Sequence, residues 1–211
     1  SALNSAGILS PGNEPLPNIS PGFAVLGLGY PVAAECSIAT RYTAPWQKLD
    51  APDSPPMGSH IILTFRGPFN KHKGKNKETE IKLHWMDGGI QPERPEELAP
   101  NEKFGDGGNA TLFIGTKGKM TSETYGRNPK LLPLSRMENL KVAQKFARVA
   151  NQEAGHYAQW VEAAIAGHGK KELSSPFEIA GPLTEALLMA NLAIRAADVQ
   201  RKDERGRNTY P

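Results

Sequence analysis

Trp85 and Asp87 are the residues of this chain whose types and spacing best suit chemistry on a ligand. They stand in the segment Trp85-Met-Asp87-Gly-Gly89, at the predicted end of a strand and just before a long polar loop. An aromatic ring can stack on the face of a sugar, and a carboxylate can accept hydrogen bonds from the sugar hydroxyls. The same residues equally suit a structural role, with Trp85 in the core and Asp87 forming a turn. Both interpretations stay open at the level of sequence.

Three glycine clusters could suggest a nucleotide site, but each departs from the required pattern. Gly27-Leu-Gly29 is followed by a strand that Pro31 opens, where the dinucleotide fingerprint needs a helix. Residues 105–110 match the fingerprint by letter yet precede another predicted strand, so no helix N-terminus meets a pyrophosphate. Residues 167–171 lack the spacing and the Ser or Thr of a phosphate loop. We therefore expect no cofactor-binding residue in this chain.

Metal ligation and nucleophilic catalysis are also not expected. Glu153-x-x-His156 is one half of a di-iron bundle pattern, which needs two such motifs. The five histidines form neither H-x-H nor H-E-x-x-H; they are at positions 60, 72, 84, 156 and 168. No G-x-S-x-G nucleophile elbow occurs. Cys36, in the middle of a predicted strand, is typical of a small buried hydrophobic residue.

Charge and hydropathy exclude two further classes of partner. Lys and Arg total 25 against 22 Asp and Glu, a net charge of +3 that is too small for a nucleic-acid-binding face. The basic run Lys71–Lys77 has no interleaved aromatic residue, which favours a solvated loop over a phosphate-binding surface. The longest apolar stretch falls short of the roughly 18 residues that a membrane span needs. We expect neither nucleic acid nor membrane as a partner.

The alternation of apolar and polar residues predicts a mostly antiparallel sheet. Proline density predicts an extended arm over Ser1–Gly29. Period-two patterns then predict strands over Tyr30–Tyr42, His60–Arg66 and Glu80–Met86. A tight hairpin follows over Thr111–Thr121, with Gly118 supplying the positive φ of its turn.

The last third of the chain has the period of amphipathic helices. One is predicted over Glu153–Ala166, where Gly167 ends it. A second is predicted over residues 182–197, with Pro182 in its first turn and Glu185 near its N-terminal dipole. With 211 residues, we expect one domain: an arm at 1–29, an α+β domain at 30–198 and a charged tail at 199–211.

Six motifs then occur in the order that one protein family shows, and together they extend over roughly Tyr30–Arg195. They are Lys82-Leu-His-Trp-Met-Asp-Gly-Gly89, Pro92-x-Arg94-Pro-Glu-Glu-Leu98, Leu112-Phe-Ile-Gly-Thr-Lys-Gly118, Tyr125-Gly-x-Asn-Pro129, Gly155-His-Tyr-x-x-Trp160, and Gly181-Pro-Leu-Thr-Glu185 continuing through Asn191-Leu-Ala-Ile-Arg195. In this set the chain resembles the C-terminal half of Gfo/Idh/MocA oxidoreductases, relatives of glucose-fructose oxidoreductase and inositol dehydrogenase. The closest likeness is to the branch abundant in Bacteroidetes-type bacteria.

The resemblance implies an α+β domain with an open, mostly antiparallel sheet, two main helices packed on one face, and a partly apolar opposite face that pairs subunits. In this family a separate N-terminal Rossmann domain binds NAD or NADP, and hydride is transferred at a carbon of a sugar or cyclitol. This chain contains neither the Glu-Lys-Pro motif nor the Asp-x-Gly-x-His segment that carry the family's catalytic residues. The expectation is therefore a substrate-binding and oligomerisation domain, trimmed at both ends and inactive alone.

The resemblance and the placement of the motifs together select six candidate substrate-binding residues: Trp85, Asp87, Arg94, Tyr125, Asn128 and His156. No catalytic, cofactor-binding or metal-binding residue is assigned within the chain. The competing hypothesis is a stand-alone module that binds carbohydrate or a protein partner without redox chemistry. Cytoplasmic and periplasmic locations are both compatible with either hypothesis.

Overall fold

The computed structural model describes residues 26–40, 42–44, 47–48, 55–67, 79–106, 109–143, 149–173, 176–197, 199 and 201–209. Most of the predicted arm, up to Val25, lies outside these ranges, as does the basic run Lys71–Lys77.

The elements follow one another in this order: β1 Ala33–Ala39, β2 Tyr42–Ala44, β3 Gln47–Lys48, β4 Gly58–Gly67, β5 Thr79–Met86, β6 Thr111–Gly115, β7 Gly118–Ser122, β8 Lys130–Leu132, α1 Gln152–Ala166, α2 Phe177–Ala196, β9 Arg201–Lys202 and β10 Asn208–Thr209. Two short 3₁₀ helices, Thr124–Gly126 and Leu134–Met137, flank β8. The α+β class is confirmed, and every strand pair described is antiparallel.

The central sheet has the strand order β1-β4-β5. Its register places Cys36 opposite Ile61, and Ile61 opposite Trp85. Because successive side chains of a strand point to opposite faces, this register puts Cys36, Ile61 and Trp85 on one face and Ile62 on the other. The predicted strands over His60–Arg66 and Glu80–Met86 are confirmed as β4 and β5.

The remaining strands form a second three-stranded sheet, β6-β7-β8, and two ribbons, β2-β3 and β9-β10. The expectation of one open sheet is thus met only in part, because the strands divide among several small sheets. The predicted hairpin is confirmed as β6 and β7, and Gly118 has the expected positive φ of 132°.

The core lies between the central sheet and α2, which packs against β1 and β4. Its buried residues are Leu28, Ile61, Leu63, Phe65, Leu183, Ala186, Leu187 and Ala190. By length and composition alone α2 could also cross a membrane, with a mean hydropathy of 1.3. One side of α2 is buried against the sheet, and Phe177 and Leu192 on its other side are exposed.

The span predicted for helix α1 is confirmed, and the helix ends at Gly167. Its apolar side, which was expected to pack on the sheet, is exposed instead. Tyr157, Trp160, Val161 and Ile165 are all exposed. The resemblance implies that both helices pack on one sheet face; the packing seen among the described residues belongs to α2.

The start of α2 corrects the prediction for the second helix. The helix begins at Phe177, five residues before Pro182, so Pro182 lies inside it and Glu178 takes the acidic position in the first turn. Pro176 gives the start instead, since its carbonyl accepts bonds from Ile179 N and Ala180 N, 3.0 Å each. The sequence rule that places proline in a first turn selected the wrong proline.

The charged tail, for which no element was expected, forms the β9-β10 hairpin. Asp203 closes its turn, with Oδ1 accepting bonds from Arg205 N at 2.9 Å and Arg207 N at 2.8 Å. Its Oδ2 pairs with the Arg207 guanidinium at 2.8 Å. The backbone and side-chain bonds from Arg207 hold the pKa of Asp203 below its usual value. Local hydrogen bonds of Asp203 therefore close the turn of this ribbon.

Candidate functional site

Asp87 stands directly after β5 and is held by three hydrogen bonds. Its Oδ1 accepts from Ser59 N at 2.7 Å, and its Oδ2 accepts from Ser59 Oγ at 3.0 Å and Trp85 Nε1 at 3.1 Å. The residue is 7% exposed. A buried carboxylate is stable only when its oxygens are paired in this way. Asp87 therefore fixes Trp85 and joins the end of β5 to the start of β4.

The two glycines after Asp87 make this junction possible. Gly88 has φ of +63°, and a Cβ at this position would collide with the backbone of Met57 and Gly58. Asp87 N donates to Ser59 O at 3.1 Å, and Ile90 N donates to Asp87 O at 3.1 Å. This geometry favours the interpretation of Asp87 as a turn former and positioning group, with Trp85 half-buried beside the core.

The electrostatic effect of Asp87 reaches Cys36, which is partly buried on the same sheet face. Burial, and then the negative charge of Asp87, raise the pKa of the Cys36 thiol to about 11. A thiol with this pKa is almost wholly protonated at neutral pH, and the thiolate is the nucleophilic form. The expectation that Cys36 behaves as a small apolar residue agrees with this environment.

The polar loop after β5 is built around Arg94. The Arg94 guanidinium donates to Ala99 O and Glu102 O, each at 2.6 Å. Glu102 Oε2 in turn accepts from Ala99 N at 2.8 Å, and Leu98 is buried beneath. Arg94 is exposed, but two of its donor bonds are already committed to its own loop.

This loop is tied to the second sheet at two points. Glu97 and Lys119 form an ion pair of 2.9 Å, which lowers the pKa of Glu97 through the bond from Lys119. Asp106 accepts from Asn109 N at 2.9 Å and Thr124 N at 3.3 Å, and it also accepts from the Thr124 hydroxyl. Among its described residues, the loop is thus held to β7 through Glu97 and to the 3₁₀ helix after β7 through Asp106.

Two of the predicted site residues lie in the turn at this 3₁₀ helix. Asn128 is exposed, has φ of 45°, and donates through Nδ2 to Glu123 Oε2 at 2.6 Å. Tyr125 is within the 3₁₀ helix, and its side chain lies outside the described part of the structure. The described bonds of Asn128 are typical of a residue that stabilises a left-handed turn.

His156, the sixth candidate, is exposed near the start of α1. Its ring meets that of Tyr157 edge-on, with 6.1 Å between the centroids. The structure therefore joins Trp85 and Asp87 directly, while Arg94 and Asn128 each bond within their own loop. The prediction of one substrate site shared by all six residues stays a prediction.

An open depression in the surface that the sequence did not indicate lies at the C-terminal end of α1. It has a volume of about 250 Å³, and its wall includes Trp160, His168, Lys171 and Leu173. Lys171 also pairs with Glu162 at 2.7 Å. Trp160 is 66% exposed, so an aromatic face is open beside two polar groups. The signal in the sequence was the Gly167-His-Gly169 break, which turns the chain back towards the helix.

The sequence analysis also missed the pair formed by His60 and His84. The period-two pattern places each on the polar side of its strand, but their separation of 24 residues conceals their contact. Within the described ranges, no group of three or more His, Cys, Asp or Glu side chains gathers to hold a metal ion.

No protein-family model matches this chain, and no curated protein matches it.

Proposed function

We propose that this chain is the substrate-binding and oligomerisation domain of an NAD(P)-dependent sugar or cyclitol oxidoreductase. The observation that carries the proposal is the order of the six motifs together with the build of the loop after β5. This loop begins at the bonded pair of half-buried Trp85 and buried Asp87, and it is fixed by Arg94, Glu97 and Asp106. In the resembled family this domain lines the substrate pocket with its sheet. A loop held by this many bonds keeps polar groups in place for ligand hydroxyls.

The six candidates divide into two roles under this proposal. Asp87 positions Trp85 and Ser59, because its oxygens accept bonds within the protein. The exposed Arg94, Asn128 and His156 are the groups that meet substrate hydroxyls. Trp85 and Tyr125 supply aromatic surface for the sugar ring.

An alanine scan of these six residues tests the site in a protein that contains both this domain and a nucleotide-binding domain. We expect kcat/KM to fall for the exposed polar residues, mainly through a higher KM, because they bind substrate without reacting. Lys141→Ala, in an exposed connection, is the control. Unchanged kcat/KM for all six variants would remove the site assignment.

The cofactor belongs to the nucleotide-binding domain in this proposal, and NAD or NADP is required only there. A fluorescence titration of this chain with NADH should show no saturable binding below about millimolar concentration, the weak end of affinity. Micromolar binding would contradict the division of roles between the two domains.

The open face of the central sheet is the proposed surface for a second copy of this chain. It is partly apolar, with Ile62 flanked by Glu35 and His84 in the strand register. Ile62→Lys should shift the sedimentation of an oligomer towards the monomer, because a buried unpaired charge disrupts such an interface. Ile114→Lys is the matched control, since Ile114 is 73% exposed on β6 of the other sheet. Equal behaviour of the two variants would contradict pairing through this face.

One observation favours the second candidate function, a stand-alone carbohydrate-binding module. The exposed Trp160 beside His168 and Lys171 resembles the aromatic platform on which sugars stack. Calorimetry with neutral sugars separates the two candidates. Binding by this chain alone that Trp160→Ala abolishes supports the module, whereas binding that requires the nucleotide-binding domain supports the oxidoreductase. Tyr157→Ala, on the same helix, controls for a general loss of aromatic surface.

A further inference from the structure

Two histidines contact each other on the open face of the central sheet, opposite the face that α2 covers. His60 on β4 and His84 on β5 are diagonal neighbours, because His60 pairs with Met86 and His84 pairs with Ile62. His60 Nε2 lies 3.0 Å from His84 Nδ1. The ring centroids are 5.3 Å apart, and the rings are inclined by 31°. Cross-strand neighbours on a rigid sheet keep this separation without help from a loop.

We propose that His60 Nε2 and His84 Nδ1 form a two-nitrogen chelating site for a divalent transition-metal ion, with Cu²⁺ as the preferred ion. Metal–imidazole bonds are about 2.0–2.1 Å long, so two nitrogens at a right angle around an ion are about 2.9 Å apart. A tetrahedral angle would separate them by about 3.3 Å. The observed 3.0 Å is set by the hydrogen bond between the metal-free rings and lies within about 0.3 Å of both values, so small movements of the rings suffice for either geometry. Imidazole sites also bind Cu²⁺ most tightly among the first-row divalent ions.

The charged groups around the pair act in opposite directions. Burial, His60 and Lys82 lower the pKa of His84, and Glu35 raises it. Glu35 on β1 lies on the same face, opposite Ile62, and its negative charge favours a bound cation. Lys82 is on the same side of β5 and opposes it, while Arg66 is occupied by Glu80 at 3.2 Å. The lowered pKa favours the neutral form of His84, which is the form that binds metal.

The proton balance of binding depends on the hydrogen bond between the rings. In the neutral pair, one of the two facing nitrogens carries a proton and the other accepts it. When the ion takes both lone pairs, that ring moves its proton to its outer nitrogen, so the neutral pair releases no net proton. A pair that has been protonated in acid must release one proton for each ion bound. Affinity should therefore decrease as the pH falls.

The site differs from a closed structural metal centre. Among the described residues no third His, Cys, Asp or Glu joins the pair, which leaves coordination positions for water on the part of the surface that the structure describes. Open positions of this kind leave the ion able to exchange and to accept an outside ligand. The histidine pair lies on the face proposed for a second copy of the chain, beside Ile62. It can still be tested apart from substrate binding, because it uses none of the six candidate residues and requires no nucleotide-binding domain.

The test is a titration of the metal-free chain with Cu²⁺ alone at pH 7.5. Calorimetry measures the affinity and stoichiometry, and electron paramagnetic resonance identifies the ligand atoms. We expect one ion per chain, with hyperfine structure from two imidazole nitrogens in the wild-type spectrum. His60→Gln and His84→Gln should each weaken binding at least tenfold. His168→Gln, a histidine in the loop after α1, is the matched control and should leave the affinity unchanged.

Two results would overturn the site: wild-type affinity in both variants, or a spectrum without two-nitrogen structure in the unaltered chain. The second readout does not depend on how the variants fold, and circular dichroism of each variant verifies that they do. Lowering the pH from 7.5 to 5.5 should weaken binding about tenfold or more, because protonated imidazole cannot ligate. Zn²⁺ in place of Cu²⁺ should bind more weakly. None of these metal-binding measurements involves NADH or sugar, so a failure of the metal site leaves the proposed function unaffected.

Discussion

The two faces of the central sheet use alternate residues of the same strands for opposite purposes. On the face against α2, β4 contributes Ile61, Leu63 and Phe65, which are almost fully buried. On the other face the same strand contributes His60 and Ile62, and β5 adds His84. Because side chains alternate along a strand, stability and chemistry are separated by a single position in the sequence. One face can therefore be altered with little consequence for the other.

The largest expected effect is the loss of Phe65, which is 0% exposed. Phe65→Ala should lower the free energy of unfolding by about 4 kcal/mol, because removing a buried aromatic ring leaves a cavity. Chemical denaturation measures this loss. Ile62→Ala, three positions earlier on the open face, is the control and should cost much less. Similar losses for the two variants would contradict the division between the faces.

The next largest effect is expected at Asp87, which closes the edge of the covered face. Asp87→Ala leaves the donors of Ser59 and Trp85 without their acceptor, and should cost about 3 kcal/mol. Asp203→Ala, in the exposed β9-β10 turn, should cost less because water replaces the lost acceptor. If the Asp87 variant kept full stability and lost only substrate affinity, Asp87 would be a ligand-binding residue instead.

A third effect concerns the thiol of Cys36, the single cysteine of the chain. Its pKa of about 11, against an ordinary 9.0, lowers the thiolate fraction at pH 8. We expect alkylation by iodoacetamide about 100-fold slower in the folded chain than in the chain unfolded by urea, since only thiolate reacts. Asp87→Asn should accelerate the reaction if it stays folded, because the second cause of the raised pKa is removed. A rate equal to that of the unfolded chain would show that the covered face is open.

The smallest effect should appear on the open face, in the pH dependence of stability. The pKa of His84 is lowered in the folded chain, so the unfolded chain binds the proton more readily. The stability contribution of His84 is therefore complete above the unfolded value near 6.5 and decreases as the pH falls below it. His84→Gln should flatten this part of the profile of unfolding free energy, measured from pH 7.5 to 5, whereas His168→Gln should not. A steeper profile in His84→Gln would give the opposite sign and contradict the assignment.

The sequence predicted those parts of the molecule that depend on neighbouring residues. Period-two alternation located β4 and β5, and Gly118 and Gly167 marked a turn and a helix end. These features depend on the local backbone preferences of neighbouring residues, so they can be predicted from the sequence. The 3.6-residue period of α1 likewise predicted a helix, but this period does not indicate which surface the apolar side of the helix packs against.

Contacts between distant residues could not be predicted in this way. The Ser59–Asp87 bonds and the His60–His84 contact depend on the register of β4 and β5, which the long connection between them leaves open. Within the candidate site, the pairing of Trp85 with Asp87 could be predicted because only Met86 separates them in the sequence. Arg94 donates to two backbone carbonyl groups, and every residue has such a group. The residue types therefore do not indicate these bonds, which depend on the folded conformation of the loop.

Because of Pro182, the first turn of α2 should unfold locally more easily than the later turns. Proline has no N–H, so one rung of the helix ladder, the one that would end at Glu178 O, is missing. The turn before it carries the exposed Phe177, whereas the later turns are anchored by the buried Leu183, Ala186, Leu187 and Ala190. Amide hydrogens up to Gly181 should thus exchange with solvent in a separate, earlier event than those after Leu183. This helix of 20 residues should therefore unfold as two units, a short N-terminal turn and a longer, more stable segment after Pro182.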